Sequence, residues 1–328
     1  MDKPKIFVTH RLPGGYLEKL EKSFEVEVFK GKELSRNDLL EGVANTAAII
    51  CTLKDQIDSE VMQAAGPDLK IICNYAAIDK NIDIAEATKR NIYVTNVHGA
   101  LTEAMAEGVI ALTICLLRRI VEGDRFVRTG NYKGWEFDLL VGTSLSNKVL
   151  GIIGLGKVGR WTARLAIALG MKVVYTGKHR NEEYENLYGV SFRNLEKLLK
   201  ESDVVSLSCP LTEETRHMIG EKEFKLMKPT AVIINVASGQ LVDEPMLIKA
   251  LSEGWIAGAG LDVYEDDTEV PAGLKNLSNT VLTPQIASAS IEARLVMAKL
   301  AVENILDIME GNRPECLVNP EIWRGRID

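Results

Sequence analysis

Three glycines at a fixed spacing are the residues of this sequence that point most directly to chemistry. Gly154, Gly156 and Gly159 follow an apolar segment, Val149–Ile153, and precede a helical segment, Arg160–Leu169. In this pattern the first glycine permits a tight turn, the second lets the backbone approach a diphosphate, and the third lets strand and helix pack closely. The free N–H groups at the start of the helix add partial positive charge. The pattern predicts a dinucleotide site, and a second strand over 172–176 disfavours a glycine-rich turn without a ligand.

The end of that second strand bears on which dinucleotide is bound. Sites selective for NAD usually place Asp or Glu about 20 residues after the glycines, where it holds the ribose 2′-hydroxyl. Here residues 175–180 read Tyr-Thr-Gly-Lys-His-Arg, without an acid. Lys178 and Arg180 would pair with a 2′-phosphate, and Thr176 could donate a hydrogen bond to it. A solvated basic loop is the alternative. We predict NADP(H) as the preferred coenzyme, with NAD(H) also possible.

The segments around these residues alternate between short apolar runs and amphipathic runs, from residue 5 to 96 and again from 148 to 286. Uninterrupted apolar, β-rich runs are typical of parallel strands covered on both faces. We therefore predict the α/β fold class, with doubly wound parallel sheets that are Rossmann-like or flavodoxin-like. The first predicted elements are strands at Ile6–Thr9, Val26–Phe29, Ala48–Cys51, Lys70–Asn74 and Tyr93–Thr95, and helices at Tyr16–Ser23 and Ser35–Val43. Later come a long helix over Leu101–Arg128, an irregular connector over 129–147, a helix over Ile291–Met309, and a tail without a clear element.

Composition excludes several classes of protein. A length of 328 residues suits two domains, and a net charge of -7 argues against a nucleic-acid binder. No apolar run reaches the ~20 residues of a membrane helix, and the N-terminus does not read as a signal peptide. The five cysteines lack CxxC spacing and three lie in apolar runs (Cys51, Cys73 and Cys115), which predicts buried free thiols, and the four scattered histidines disfavour a structural zinc site. We expect a cytoplasmic protein that acts on a small molecule and binds neither nucleic acid nor membrane.

Further motifs extend over essentially residues 4–320: Ile6-Phe7-Val8-Thr9, Val94-Thr95-Asn96, Leu101-Thr102-Glu103-Ala104, Asp203-Val204-Val205-Ser206-Leu207, Cys209-Pro210-Leu211-Thr212, Leu241-Val242-Asp243-Glu244, Gly258-Ala259-Gly260-Leu261-Asp262-Val263 and Asn319-Pro320. With them the chain resembles the D-isomer-specific 2-hydroxyacid dehydrogenases, particularly the glyoxylate/hydroxypyruvate reductase branch. The resemblance implies a discontinuous substrate domain (1–98 with 289–328), a dinucleotide-binding domain (99–288) and a cleft between them. It also implies homodimers built through the long helix at 101–120.

The resemblance also implies cofactor contacts beyond the glycines. Asp262 matches the family aspartate that holds the nicotinamide carboxamide; a turn former at a strand end is the alternative. The remaining predicted cofactor residues are Leu155, Lys157, Val158, Gly177, Cys209, Pro210, Thr215, Val236 and Gln285.

The family's catalytic positions hold different residues in this chain. Relatives use an arginine to clamp the substrate carboxylate, a histidine to move the proton and a glutamate to tune that histidine. The matching positions here are Ser238, Gln285 and Asp267. In the loop that offers backbone N–H groups to the carboxylate, Ile78 replaces a glycine. Serine cannot form a bidentate charged clamp, and glutamine does not titrate near neutral pH.

These replacements leave three hypotheses open. The first is an NADP(H) oxidoreductase with a non-standard site that reduces a carbonyl or another activated substrate. Lys80 or Lys54 could then anchor an anion, although loop lysines are usually solvated; possible proton carriers are Asp79, Tyr75, His98 and Asp267. The second is a pseudoenzyme that binds coenzyme or partners without turnover. The third is ordinary reduction of a 2-keto acid such as glyoxylate or hydroxypyruvate. The first is favoured because Ser238 and Gln285 suggest a polar pocket.

Overall fold

The structure is a computed structural model that describes residues 3–266 and 268–324. It contains two compact units: Met1–Leu101 with Ser290–Asp328, and Thr102–Ala289. The first unit is therefore discontinuous in sequence, while the second is a single segment. Both contain a parallel sheet with helices, as the α/β pattern predicts.

The first unit is built on a five-stranded parallel sheet in the order β2-β1-β3-β4-β5. Every residue of β3 and β4 is buried, and isoleucine is the commonest, as expected for strands covered on both faces. The first strands are added toward one edge of the sheet and the later strands toward the other, and this switch lies between β1 and β3. α/β folds usually bind ligands at such a switch point. The strands are β1 Lys5–Val8, β2 Glu25–Val28, β3 Thr46–Cys51, β4 Ile71–Asn74 and β5 Tyr93–Thr95.

The helices of this unit are α1 Glu18–Glu21, α2 Arg36–Gly42, α3 Ser59–Ala65, α4 Ile84–Lys89 and a C-terminal helix, Ile291–Glu310. Helix α1 is shorter than predicted, because Gly14 and Gly15 adopt positive φ and the chain enters it through turns. The tail was also predicted wrongly. It contains a short 3-10 helix, Pro320–Ile322, and the buried Asn319 side chain bonds the backbone of Ile92 and Val94.

The second unit has a seven-stranded parallel sheet in the order β12-β11-β10-β9-β6-β7-β8. Strands β6 and β9 are parallel neighbours, so the order in which strands are added to the sheet switches from one edge to the other beside β6. The strands are β6 Val149–Ile153, β7 Lys172–Thr176, β8 Ser191–Phe192, β9 Val204–Leu207, β10 Val232–Asn235, β11 Gly258–Leu261 and β12 Thr280–Leu282.

Its helices are α5 Thr102–Leu117, α6 Ile120–Arg128, α7 Lys157–Ala168, α8 Glu182–Tyr188, α9 Leu195–Glu201, α10 Glu221–Leu226, α11 Glu244–Ser252 and α12 Ala272–Lys275. The single helix predicted over Leu101–Arg128 is wrong: Arg119 adopts a left-handed φ of 53° and pairs with Glu122, which separates α5 from α6. Cys51 and Cys73 are buried free thiols, whereas Cys115 is half-buried. Over the described residues, no helix is long and apolar enough to cross a membrane.

Candidate functional site

The turn after β6 shows why its glycines have this spacing. Gly154 has a φ of +102°, and a Cβ there would lie 2.7 Å from the backbone of Ser208 and Cys209. A Cβ on Gly159 would lie 2.2 Å from the carbonyl oxygen of Gly154. Gly156 is different: it precedes α7, and a Cβ there would meet nothing within 4 Å. Two glycines are thus required by packing, and the third leaves open space.

A cavity of about 740 Å³ lies over this turn, within the second unit. Ten predicted cofactor residues line it: Gly154, Leu155, Gly156, Thr176, Gly177, Lys178, Arg180, Cys209, Pro210 and Thr215. Six do not: Lys157, Val158, Gly159, Val236, Asp262 and Gln285. Gly159 is buried in α7 and Val236 is a core residue, which explains two of these cases. The residues missed by sequence reasoning include Arg160, Asn181, Leu195, Thr212, Glu214 and Met218, which only the folded chain brings to the cavity.

The basic loop at the end of β7 is held by a carboxylate that the sequence did not single out. Arg180 donates from Nε and Nη2 to the two carboxylate oxygens of Glu185, at 2.8 and 2.9 Å. The Tyr175 hydroxyl donates to Glu185 Oε1 at 2.8 Å and accepts from the Asn181 N–H at 2.7 Å. The hydrogen bond from Arg180 lowers the pKa of Glu185 to about 2.

These features fit a nicotinamide dinucleotide. The open space at Gly156 and the free N–H groups at the start of α7 suit a diphosphate, and the loop after β7 presents basic side chains. When bound, such a coenzyme supplies or accepts a hydride. Among the described residues, no group of three or more potential ligands could hold a metal ion.

Asp262, at the end of β11, holds the loop that carries Gln285. Its carboxylate, 3% exposed, accepts hydrogen bonds from the Thr283 hydroxyl and from the backbone N–H groups of Ile286 and Ala287, at 2.5 to 2.8 Å. Gln285 itself is exposed, with a φ of +59°. Left-handed backbone at a residue other than glycine is costly and clusters at functional sites. The three hydrogen bonds to its carboxylate show that Asp262 holds the loop at 283–287 in place. Its contact with a coenzyme stays a prediction.

Ser238 lies in the turn after β10, and this turn packs against the backbone that follows β11. The Asn235 side chain shapes the turn by donating to the Ser238 carbonyl at 2.7 Å. A Cβ on the next residue, Gly239, would lie 1.9 Å from the Tyr264 backbone. The Tyr264 hydroxyl in turn donates to the Thr283 carbonyl at 2.9 Å.

The fold thus gathers the segments that carry positions 238, 264–266 and 285 at the carboxyl ends of β10, β11 and β12. Asp267 lies outside the described residues. Gln285 lines a separate cavity of about 410 Å³ with Asp262, Tyr264 and Lys275, not the cavity over the glycine turn. His217 Nε2 lies 2.7 Å from Glu265 Oε1, so the segment that contributes Thr215 and Met218 to the larger cavity is tied to the loop after β11.

In the first unit, the predicted proton carriers Asp79 and His98 lie close together. Asn96 Nδ2 donates to Asp79 Oδ1 at 3.1 Å, while Asn96 Oδ1 accepts from the backbone N–H of His98 at 3.0 Å. Burial raises the pKa of the half-buried Asp79, and the Asn96 hydrogen bond and nearby His98 oppose that rise. Tyr75 differs, because its hydroxyl donates to the Arg294 carbonyl at 2.7 Å.

A buried amide pair joins the two loops that carry Lys54 and Lys80. Asn74 donates to Asn81 Oδ1 at 2.8 Å, and Asn81 Nδ2 donates to the carbonyls of Thr52 and Asp55, both at 2.9 Å. Both lysines lie in exposed positions of these loops. The loops are thus fixed relative to each other, so that an anion-binding group on either would be held in place.

Comparison with known proteins identifies the family. Residues 110–287 match the family described as D-isomer specific 2-hydroxyacid dehydrogenase, NAD binding domain. A glyoxylate reductase of Thermococcus litoralis is 47% identical over 98% of both chains. The crystal structure of TT0316 protein from Thermus thermophilus has a TM-score of 0.89 at 40% identity, covering 96% of this chain and 99% of that one.

A third relative is named as a reductase of imino acids. The structure of an acyclic imino acid reductase in complex with NADPH and D-Arg matches with a TM-score of 0.82 at 29% identity, covering 96% of this chain and 99% of that one. The fold, the glycine turn and the sequence similarity all point to the same family. The chain belongs to the D-isomer-specific 2-hydroxyacid dehydrogenase family and is an NAD(P)-dependent oxidoreductase.

Proposed function

We propose that this protein uses NADPH to reduce the C=O or C=N carbon of a small 2-oxo acid or its imine. The observation that carries the proposal is the cavity of about 740 Å³, in which the glycine turn and Lys178 face the same space. A coenzyme bound there supplies the hydride, and Lys178 supports a preference for the 2′-phosphate. Lys54 or Lys80 would take over the carboxylate contact that Ser238 cannot make.

The imine is the favoured acceptor because Ser238 and Gln285 occupy the positions of the family's arginine and histidine. Hydride addition to a carbonyl forms an alkoxide, which needs a proton that glutamine cannot supply near neutral pH. Addition to a protonated imine gives a neutral amine directly, without a further proton. Asp79, with its raised pKa, and His98 are the candidate proton donors for the carbonyl reaction. The acyclic imino acid reductase supports this choice, since it shares the fold.

Ordinary reduction of glyoxylate is the second candidate, and the name of the 47% identical relative supports it. That relative also disfavours a protein without turnover. Under this candidate Asp79 or water would provide the proton. The two candidates differ in whether an amine is required.

Purified protein with NADPH tests the proposal. We expect the absorbance of the reduced nicotinamide to fall faster with glyoxylate or pyruvate plus methylamine, which form imines, than with either oxo acid alone. Asp79→Asn should slow the amine-free reaction and leave the imine reaction largely unchanged. Equal rates with and without amine would favour the ordinary reductase, and no reaction with any acceptor would favour the pseudoenzyme.

We also propose that the protein is a homodimer. The connector between α6 and β6 exposes large apolar side chains, including Trp135 at 82% and Phe137 at 88%. Apolar exposure on this scale is typical of an interaction surface. Sedimentation equilibrium should give twice the mass of the chain, and Trp135→Ser with Phe137→Ser should shift the protein toward monomer. A monomeric parent protein would contradict the proposal.

A further inference from the structure

We propose that Lys178, and not Arg180, provides the charge that selects the 2′-phosphate, whereas Arg180 belongs to a structural clamp formed with Glu185 and Tyr175. The sequence offers Lys178 and Arg180 as equal partners for the phosphate, but their contacts in the folded chain differ. This inference rests on the proposed function, since it concerns how that function chooses its coenzyme.

The clamp, formed by Tyr175, Arg180 and Glu185, is buried at one end and exposed at the other. Tyr175 is fully buried in β7, and its ring packs edge-on against Phe192 at 5.5 Å. Glu185 accepts hydrogen bonds from the Tyr175 hydroxyl and from Nε and Nη2 of Arg180. The Asn181 N–H donates to the Tyr175 hydroxyl oxygen. Four hydrogen bonds thus fasten the loop after β7 to the start of α8.

Arg180 has little of its guanidinium left for a ligand. Its Nε and Nη2 both donate hydrogen bonds to Glu185, and Nη1 lies 3.5 Å from Glu182 Oε1. Two carboxylates therefore offset its charge. The Glu185 side chain is 13% exposed and the Arg180 side chain 55%, so the carboxylate end of this ion pair is shielded from water while the guanidinium end is open to it. An arginine held this way stabilises the loop conformation more than it attracts a dianion.

Lys178 has the opposite environment. It lines the cavity from an exposed position and makes no ion pair with any other residue in 3–266 and 268–324. Its charge is therefore available to a phosphate. Arg160, the remaining arginine at the cavity, donates to the Leu155 carbonyl and lies 5.8 Å from the Tyr184 ring. Arg160 follows the glycine turn, so it would act on the diphosphate that both coenzymes share.

Binding of NADPH and NADH to the parent protein and its variants separates selection from loop structure. Lys178→Met should weaken NADPH about tenfold or more and leave NADH within about twofold, so that the ratio of the two dissociation constants collapses. Arg180→Met and Glu185→Gln should each weaken both coenzymes by a similar factor and lower the melting temperature. The double variant Arg180→Met/Glu185→Gln should bind both coenzymes about as tightly as the single variant with the larger effect, because both changes open one clamp.

Glu183→Gln is the matched control, since it removes the same charge from α8 without touching the clamp; it should leave the ratio and the melting temperature unchanged. The inference is overturned if Arg180→Met collapses the ratio while Lys178→Met preserves it, or if the parent protein shows no preference for NADPH. A parent protein that binds neither coenzyme would instead overturn the proposed function, and this is seen before any variant is made.

Discussion

Replacing Gly156 with alanine is expected to weaken coenzyme binding at least about tenfold, or ~1.4 kcal/mol, without lowering the melting temperature. A Cβ at this position meets no atom within 4 Å in the protein, and Gly156 has a φ of -75°, which any residue adopts. The fold therefore places no demand on glycine here. The demand would come from the diphosphate, which must approach the backbone where the methyl group would project.

The matched comparison is Gly159→Ala, where the added Cβ would lie 2.2 Å from the Gly154 carbonyl oxygen. Overpacking of this kind typically costs about 1–3 kcal/mol, so this variant should melt at a lower temperature. Thermal unfolding and coenzyme titration of both variants test the distinction. If Gly156→Ala bound NADPH and NADH as tightly as the parent protein, the diphosphate would not lie at this turn.

The glycine turn could be predicted from sequence because its parts are local. Strand, turn and helix follow one another within 149–168, and Gly154 and Gly159 have a steric reason within that segment or just after the neighbouring β9. The break between α5 and α6 could not be predicted in the same way. Residues 101–128 contain no proline, and the left-handed backbone of Arg119 separates the two helices.

Contacts between side chains account for the remaining differences. Lys178 and Arg180 are equivalent as sequence, and Glu185 distinguishes them only after α8 has placed its carboxylate against β7. Asp262 matches a family motif, but the sequence does not show that its oxygens are occupied by the loop at 283–287. The loss of arginine and histidine chemistry at positions 238 and 285 stays a prediction from residue types. The packing of Gly239 on Tyr264 shows that the turn at position 238 lies against the loop after β11.

The combined variant Ser238→Arg/Gln285→His is expected to raise kcat/KM for amine-free glyoxylate about a hundredfold or more, since general acid catalysis alone typically contributes 10²–10⁴-fold. Both positions lie on turns that the structure holds firmly, through Asn235 at one and Asp262 at the other. Histidine tolerates left-handed backbone better than most residues, so it suits the φ of +59° at position 285.

Each single change should give much less than the pair, because an arginine that binds the carboxylate and a histidine that moves the proton act on one substrate and are not additive. A pH profile identifies the new acid: the double variant should add a titration near the ordinary histidine pKa of about 6.5 to the profile of the parent protein. Gln285→Asn, which also tolerates left-handed backbone, controls for relief of strain and should give no gain. If the double variant folds, binds NADPH and still leaves glyoxylate unreduced, then positions 238 and 285 do not face the substrate, and the imine preference inferred from them loses its basis.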